Sequence, residues 1–238
     1  MGPLRRAAMI AIAALTGTAV FGLNLSTDLS KKDRLYLEGV YKDTWACLAH
    51  FVSSDTGLPR DSHRPTRNTS LTNIGFYMAA CAVAAKTNLM TDEEALRRLR
   101  ACLQSLAKIE KWRGFPVTWV DVDTGDTTEK QFSTVDHLGN LTAGLVLVKS
   151  IYPELASSID ALLSPMNWGI LYEPKNHFYR GGWRLDKKDF DVKQLWGDWY
   201  YSNLGADTRL GSFFGVALGQ VLLDHWCALN RTVENKHG

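Results

Sequence analysis

The chain lacks the common signatures of metal and nucleic-acid sites. None of its four cysteines shows CxxC spacing, which argues against a zinc site. The histidines form no HExxH pattern, and the GxSxG elbow of a Ser-His-Asp triad is absent. Because the formal net charge is only +2 and no long basic block occurs, nucleic acid is a poor candidate partner. We expect neither a metal nor another cofactor.

No low-complexity linker or clear domain boundary interrupts the chain. Its 238 residues are 45% hydrophobic and 22% charged, which is the composition of a globular protein with a sizeable core. Cys47, Cys81 and Cys102 each lie on the apolar side of a helical pattern, which favours buried free thiols. One disulfide stays an alternative in an oxidising compartment. We expect a single helical domain over residues 28–238.

Charge is also missing from residues 7–27. Arg5 and Arg6 precede this apolar run, and together they have the pattern of a signal peptide. The run is also about as long as a bilayer-spanning helix. Residues 1–27 are therefore predicted to be a cleaved signal peptide or an uncleaved membrane anchor. Both alternatives place the body of the protein outside the cytoplasm, either free in the periplasm, secreted, or anchored to the inner membrane.

Helical periodicity dominates the rest of the sequence and predicts an all-α fold with about six helices. Thr91 and Glu94 form a capping box that starts the third helix. The second helix, with "GFYMAACAVAAK", has a face of small residues that permits close helix packing. The predicted helices cover approximately residues 32–53, 71–87, 92–109, 141–152, 154–163 and 206–226.

Two segments show no helical period. "GFPVTWVDVDTGDTTEKQ" is predicted to be a loop or a short hairpin that turns at its TGD sequence. Residues 168–201 form a long irregular stretch with ten aromatic side chains, and such stretches are often functional. Aromatic faces stack on sugar rings. Trp183, Trp199 and Tyr200 are therefore candidate sugar-binding residues, with packing onto the helices as the alternative.

Carboxylates near these rings and at two helix starts are candidates for chemistry. Hydrolysis of a glycosidic bond needs two carboxyl groups in different protonation states. Asp136, in "FSTVDHLGN", and Asp207, in "LGADTRLGSF", lie near helix starts, so complementing the helix dipole is an alternative role. Ser133-x-x-Asp136 is itself a capping-box pattern. Further candidates for holding hydroxyl groups are Asp198, Arg209 and Arg60, the last with a solvated loop as its alternative.

An ordered set of motifs resembles one known family. The motifs are "DTGLPRD", "TSLTNIGFYMAA", "TDEEALRRLRACLQSLAKIEKWRG", "FSTVDHLGNLTAGL", "WGILYEP" with "FYRGGW", and "ADTRLGSFFGVALGQVLLDHW". They resemble the bacterial glucoamylase-like family, domain of unknown function 3131, which is similar to β-1,2-glucan hydrolases and to a domain of cyclic β-1,2-glucan synthases. The resemblance covers about residues 35–230. It implies an (α/α)6 toroid with a sugar-binding cleft and glycan chemistry in the bacterial envelope.

The resemblance also implies roles for individual residues. The acid of the family's "STVDSGN"-like motif is a site residue and matches Asp136, while the catalytic glutamate of its "SEAR"-like motif matches Asp207. Aspartate in place of glutamate sets the carboxyl back by one methylene, and catalysis is sensitive to shifts of about 1 Å. "VDHLGN" has one extra residue between acid and amide, which rotates Asn140 by about 100° on a helix. Asn140 is a further candidate for substrate binding.

The number of helices is another departure from the family. A closed (α/α)6 toroid has twelve helices, and only about six are readable here. We therefore expect a partial sequence or a C-terminally short half-toroid that a partner or a second copy completes.

These inferences give one leading hypothesis and two rivals. The leading hypothesis is a glycoside hydrolase or transglycosylase that acts on β-linked glucan, with Asp207 as acid/base and Asp136 as second carboxylate or subsite residue. The first rival is a non-catalytic envelope protein that binds glycan in the same cleft. The second is a truncated, inactive family member, a helical fragment with an exposed apolar edge and no saccharide binding.

Overall fold

A computed structural model describes residues 29–64, 66–128, 131–133, 135–184 and 196–232. The side chains of residues 131–133, 183–184 and 196–199 lie outside this description, as does the predicted signal peptide or anchor at 1–27. No helix within the described ranges is both long and apolar enough to cross a membrane.

Seven α-helices occur among the described residues and make up most of the secondary structure. The predicted start of the third helix is confirmed, because Thr91 Oγ1 accepts a hydrogen bond of 3.1 Å from the Glu94 amide. Two short 3-10 turns lie at Pro153–Leu155 and Trp168–Leu171. The helices are α1 (Lys31–His50), α2 (Leu71–Lys86), α3 (Asp92–Lys108), α4 (Asp136–Ile151), α5 (Ala156–Leu163), α6 (Arg209–Ala217) and α7 (Leu223–Ala228).

The predicted all-α class is too strict, because eight short strands accompany the helices in the described residues. All their pairings are antiparallel: β1 pairs with β4, β2 pairs with β3, and β7 pairs with β5, β6 and β8. The strands are β1 (Asn68–Ser70), β2 (Lys111–Trp112), β3 (Phe115–Pro116), β4 (Trp119–Asp121), β5 (Gln131–Ser133), β6 (Tyr172–Glu173), β7 (Phe178–Arg184) and β8 (Trp196–Tyr201). The fold is mostly helical with small sheets.

One predicted turn is present in the structure, and one predicted helix is divided into two. The predicted hairpin turn is confirmed, since Gly125 adopts a φ of 79° and Val120 bridges Thr127. The predicted sixth helix is wrong as a single element, because the chain leaves α6 at Leu218 and turns at Gly219, whose φ is 65°. α7 starts only at Leu223.

Three helices, α2, α4 and α6, form a central row that glycine residues hold close together. A Cβ at Gly75 of α2 would lie 2.5 Å from the Asn140 carbonyl oxygen of α4, and a Cβ at Gly144 would collide with the backbone of Gly75. On the other side of α4, Gly139 packs directly against the backbone of Gly211 in α6. The starts of these helices therefore lie next to one another.

The hydrophobic core lies between this row and the outer helices. α3 packs on α2, α5 packs on α4, and α6 contacts α7. The largest fully buried side chains include Trp168, Tyr77, Tyr179 and Phe115, so the aromatic rings join the helical core to the sheets. Trp168 contacts both Phe115 and Tyr179 edge-to-face, at centroid distances of 5.8 and 6.4 Å.

Apolar side chains are exposed at both edges of the central row. α1 contributes no fully buried residue, and Cys47, predicted to be buried, is exposed on it. The expected exposed apolar edge is present on the described residues. Its members on the α1–α2 side are Leu35, Tyr36, Leu37, Val40, Leu48, Phe76 and Val83, and those on the α6–α7 side are Phe213, Leu218, Leu222 and Leu223.

Candidate functional site

The start of α2 is built by strand pairing. Ser70 ends β1, pairs with Trp119 of β4 and caps α2 by accepting a hydrogen bond from the Asn73 amide. Thr72 and Asn73 therefore occupy the first helical turn, with the half-buried Trp119 beside the β1–α2 junction. Strand pairing thus brings an indole ring and two polar side chains to one helix end.

The start of α4 differs from the predicted capping box. Ser133 lies in β5, and Val135 takes the N-cap position without a side-chain hydrogen bond. Asp136 is the first residue of α4, and its Oδ1 accepts a 2.8 Å hydrogen bond from the His137 amide. Its carboxylate thus satisfies a free amide at the positive end of the helix.

His137 connects the starts of α2 and α4. Its Nδ1 lies 3.0 Å from Thr72 Oγ1, which also accepts a 3.1 Å hydrogen bond from Asn140 Nδ2. The Trp119 ring meets the imidazole edge-to-face at a centroid distance of 5.6 Å. Asn140 is buried, so its amide supports Thr72 from behind and does not line the surface.

Arg60 and Asp61 lie at the rim of this cluster. Asn73 Nδ2 donates a 2.6 Å hydrogen bond to Asp61 Oδ1, and the Asp61 amide donates to the Asn68 carbonyl. These bonds fix the exposed Asp61 beside the start of α2, next to the half-buried Arg60. The role of Arg60 in substrate binding stays a prediction.

Asp207 and Arg209 lie at the start of α6, and both are exposed. Asp207 is two residues before the first helical residue, Arg209, so it lies near the positive helix end. Because Gly139 packs against Gly211, the turn that holds Asp207 lies beside the first turn of α4, where Asp136 is located. The fold thus brings the starts of both predicted acidic motifs to the same end of the central row.

The aromatic stretch forms a sheet and not a loose loop. Tyr200 of β8 pairs with Arg180 of β7, and the Arg180 guanidinium lies 5.8 Å from the Tyr200 ring centroid. Arg180 also forms a 2.6 Å ion pair with Glu173, and this hydrogen bond lowers the pKa of the Glu173 carboxyl. The side chains of three other predicted binding residues, Trp183, Asp198 and Trp199, lie outside the described residues.

A buried Ser-His pair lies behind α6. His225 Nδ1 lies 2.7 Å from the His177 carbonyl and Nε2 lies 2.9 Å from Ser212 Oγ, which fixes the neutral ring with its proton on Nδ1. Burial lowers the pKa of His225. These contacts tie α7 to α6 and to the residues just before β7. Because His225 and Ser212 have zero solvent exposure, the serine cannot act as a nucleophile on a substrate.

Sequence reasoning missed several members of the cluster. Thr72, Asn73 and His137 directly follow the helix starts, and this position in the first turn was an available signal. The Asp61–Asn73 hydrogen bond and the β1–β4 pairing bring Asp61 and Trp119 to the cluster. Those contacts join distant parts of the chain, so residue spacing does not reveal them.

Comparison with known families decides the classification. Residues 40–194 match the model of the family described as a protein of unknown function, DUF3131. The chain belongs to the DUF3131 family. This DUF3131 chain is 26% identical over 129 residues to cyclic β-(1,2)-glucan synthase NdvB of Rhizobium meliloti (strain 1021). The matched part is 51% of this chain and 5% of that protein, and the motif-based recognition of the family is confirmed.

Two solved structures share the fold of the DUF3131 chain. A β-1,2-glucanase from Parabacteroides distasonis superposes with a TM-score of 0.65 at 17% identity, covering 79% of this chain and 28% of that one. An endo-β-1,2-glucanase from Chitinophaga pinensis, in complex with sophorotriose and glucose, gives a TM-score of 0.63 at 16% identity, covering 77% and 47%. The chain spans less than half the length of each. At these identities the likeness establishes a glucoamylase-like helical fold.

Proposed function

We propose that this protein acts on β-linked glucan as a glycoside hydrolase or transglycosylase. The main support for this proposal is that the starts of α2, α4 and α6 lie next to one another. This arrangement gathers Asp136, Asp207 and Asp61 with polar and aromatic neighbours at one end of the central row. Membership of DUF3131 and the fold shared with two β-1,2-glucanases favour a β-1,2-linked substrate.

The two acids take different roles in this proposal. Asp207 is the candidate acid/base, since it matches the family's catalytic glutamate and lies at the start of α6, beside the first turn of α4. Asp136 is the candidate second carboxylate or subsite residue, because its Oδ1 is held by the His137 amide while the carboxyl stays partly exposed. Asp198, Arg209, Trp183, Trp199 and Tyr200 remain predicted substrate-binding residues.

Sugar release from linear β-1,2-glucan tests the catalytic role. We expect Asp207→Asn to lower the release of reducing ends by about 100-fold or more, because loss of a general acid/base costs at least that much. Asp224→Asn is the matched control, since Asp224 is an exposed acid in the first turn of α7. Equal activity of wild type and Asp207→Asn would remove Asp207 from the mechanism.

Non-catalytic glycan binding is the second candidate function. It is favoured by the exposure of Asp207, since glycosidase acids work in sites that burial shields from water. Glycan binding that survives Asp207→Asn, with no turnover by either form, would select this alternative. A truncated, inactive family member, the remaining rival, would show neither binding nor turnover.

The setting proposed for this activity is the bacterial envelope. The apolar run at residues 7–27 after Arg5 and Arg6 supports export, with periplasmic, secreted and membrane-anchored forms as the variants. Fusion of residues 1–35 to a reporter enzyme that is active only after export checks this setting. Cytoplasmic retention of the fusion would contradict it, and release or retention in the membrane fraction distinguishes signal peptide from anchor.

A further inference from the structure

We propose that His137 and Asp136 together bind two adjacent hydroxyl groups of one sugar ring, with His137 as the residue that determines specificity. The inference rests on the proposed glucan function and deepens it by assigning a subsite. His137 directly follows Asp136 in the first turn of α4.

The geometry leaves both side chains available to a ligand. His137 Nε2 and Asp136 Oδ2 are 4.0 Å apart, which is too far for a direct hydrogen bond. Their side chains are 20% and 17% exposed, so each reaches the surface at the start of α4. A group placed between them can bond to both atoms at once.

The hydrogen bonds behind His137 indicate which of its ring nitrogens donates. Asn140 Nδ2 can only donate, so Thr72 Oγ1 accepts from it with one of its two lone pairs. Among the described residues, His137 Nδ1, 3.0 Å away, is the acceptor within reach of the Thr72 hydroxyl proton, and we infer that Thr72 donates to it. With Nδ1 accepting, the neutral imidazole carries its proton on Nε2. The pair therefore presents one donor, Nε2–H, and one acceptor, Oδ2, at the same place.

Adjacent sugar hydroxyls match this donor–acceptor pair. One hydroxyl oxygen accepts from Nε2–H, and its neighbour donates to the Asp136 carboxylate in a charge-assisted hydrogen bond. In a β-1,2-linked glucan the 2-oxygen is used by the linkage, while the 3- and 4-hydroxyls stay adjacent and free. Trp119 holds the imidazole edge-to-face, which keeps Nε2 in position. An anionic ligand would meet the charge of Asp136, so the subsite selects neutral sugar.

The first test needs no ligand and asks which ring nitrogen of His137 carries the proton. We expect a long-range ¹H–¹⁵N correlation spectrum of the full protein to show Nε2 protonated and Nδ1 unprotonated. In Thr72→Val, which removes the hydroxyl donor, we expect the two tautomers to mix. A wild-type ring protonated on Nδ1 would overturn the proposal.

Binding of a β-1,2-linked glucotriose, measured by calorimetry, gives the second test. His137→Phe keeps an aromatic ring beside Trp119 but removes the donor, and we expect its Kd to rise about five- to tenfold, as for loss of one hydrogen bond. His137→Gln retains a donor and should stay within about twofold of wild type. His50→Phe, on the exposed part of α1, is the matched control.

Binding of deoxy sugars distinguishes failure of this subsite proposal from failure of the proposed glucan function. Removing the hydroxyl that accepts from His137 Nε2–H should weaken binding to wild type about five- to tenfold and leave binding to His137→Phe unchanged. Equal binding by wild type and His137→Phe would overturn the role of His137 while the glucan function stands. Failure of wild type itself to bind the glucotriose would overturn both. Thermal unfolding confirms that each variant is folded.

Discussion

The geometry of Asp136 is compatible with both roles that the sequence offered as alternatives. Its Oδ1 accepts from the His137 amide at the start of α4, while Oδ2 faces the His137 ring. A helix-start role and a ligand-binding role are therefore compatible in one carboxylate. The capping-box interpretation was wrong about Ser133, because Ser133 lies in strand β5 and Val135 takes the N-cap position of α4.

The buried His225 gives the protein a predictable response to acid. Burial lowers the pKa of His225 below its ordinary value of 6.5, so the unfolded chain binds a proton more readily than the folded one. The free energy of unfolding should therefore fall as the pH drops below about 6.5. Urea unfolding of wild type and His225→Phe at pH 7.5 and 5.0 checks this.

Comparison with His225→Phe distinguishes the contribution of His225 to the pH dependence of unfolding from that of the other titrating groups. His225→Phe loses the Ser212 hydrogen bond and is less stable at both pH values, but its midpoint should change less between them. An identical pH dependence in both proteins would contradict the assignment.

The helices were far easier to predict than their arrangement. Repeats at three- and four-residue steps located α1 and α3. The "GFYMAACAVAAK" segment also predicted close packing of α2, which the Gly75 contact confirms. The contact between Gly139 and Gly211 joins residues far apart in the chain, and no local pattern encodes it. The same holds for the pairing of β5 with β7, which joins Phe132 to Trp183.

Close packing of the central row predicts that a substitution at Gly144 strongly lowers the free energy of unfolding. Gly144→Ala places a Cβ against the backbone of Gly75, which cannot move aside as a flexible side chain would. We expect a loss of about 3 kcal/mol in the free energy of unfolding, the upper end for overpacking. Gly39→Ala is the control, because Gly39 lies in the exposed helix α1 with open space around it.

The two glycine variants should shift stability in opposite directions. Gly39→Ala should stabilise by about 0.5–1 kcal/mol through helix propensity alone. Chemical denaturation measures both changes. A loss below about 1 kcal/mol in Gly144→Ala would show that α2 and α4 are not held this close.

At the scale of the whole molecule, the exposed apolar edges predict association. Exposed apolar patches of this kind mark interaction surfaces. We propose a second copy as the partner, with the α6–α7 edge of each copy against the α1–α2 edge of the other, so that two such contacts close the dimer and cover both edges. We expect wild type to be a dimer at micromolar concentration in light scattering.

Charge placed on one edge should break the dimer. Leu223→Glu, at a residue that is 62% exposed, should shift the protein to monomer without unfolding it. Ser158→Glu adds the same charge on the exposed part of α5 and should leave the dimer intact. A monomeric wild type at all concentrations would contradict the second copy.

The starts of α2, α4 and α6 are proposed to form a site that processes β-1,2-glucan. The most direct measurement is the rate of reducing-end formation from linear β-1,2-glucan by wild type, Asp136→Asn and Asp160→Asn. Asp160 is an exposed acid on α5 that pairs with Lys149, far from the helix starts in sequence. We predict turnover by wild type and Asp160→Asn, and a loss of about tenfold or more in kcat/KM in Asp136→Asn, the cost of a lost hydrogen bond to a charged group. Equal rates in all three proteins, or no turnover and no glucan binding by wild type, would contradict the claim.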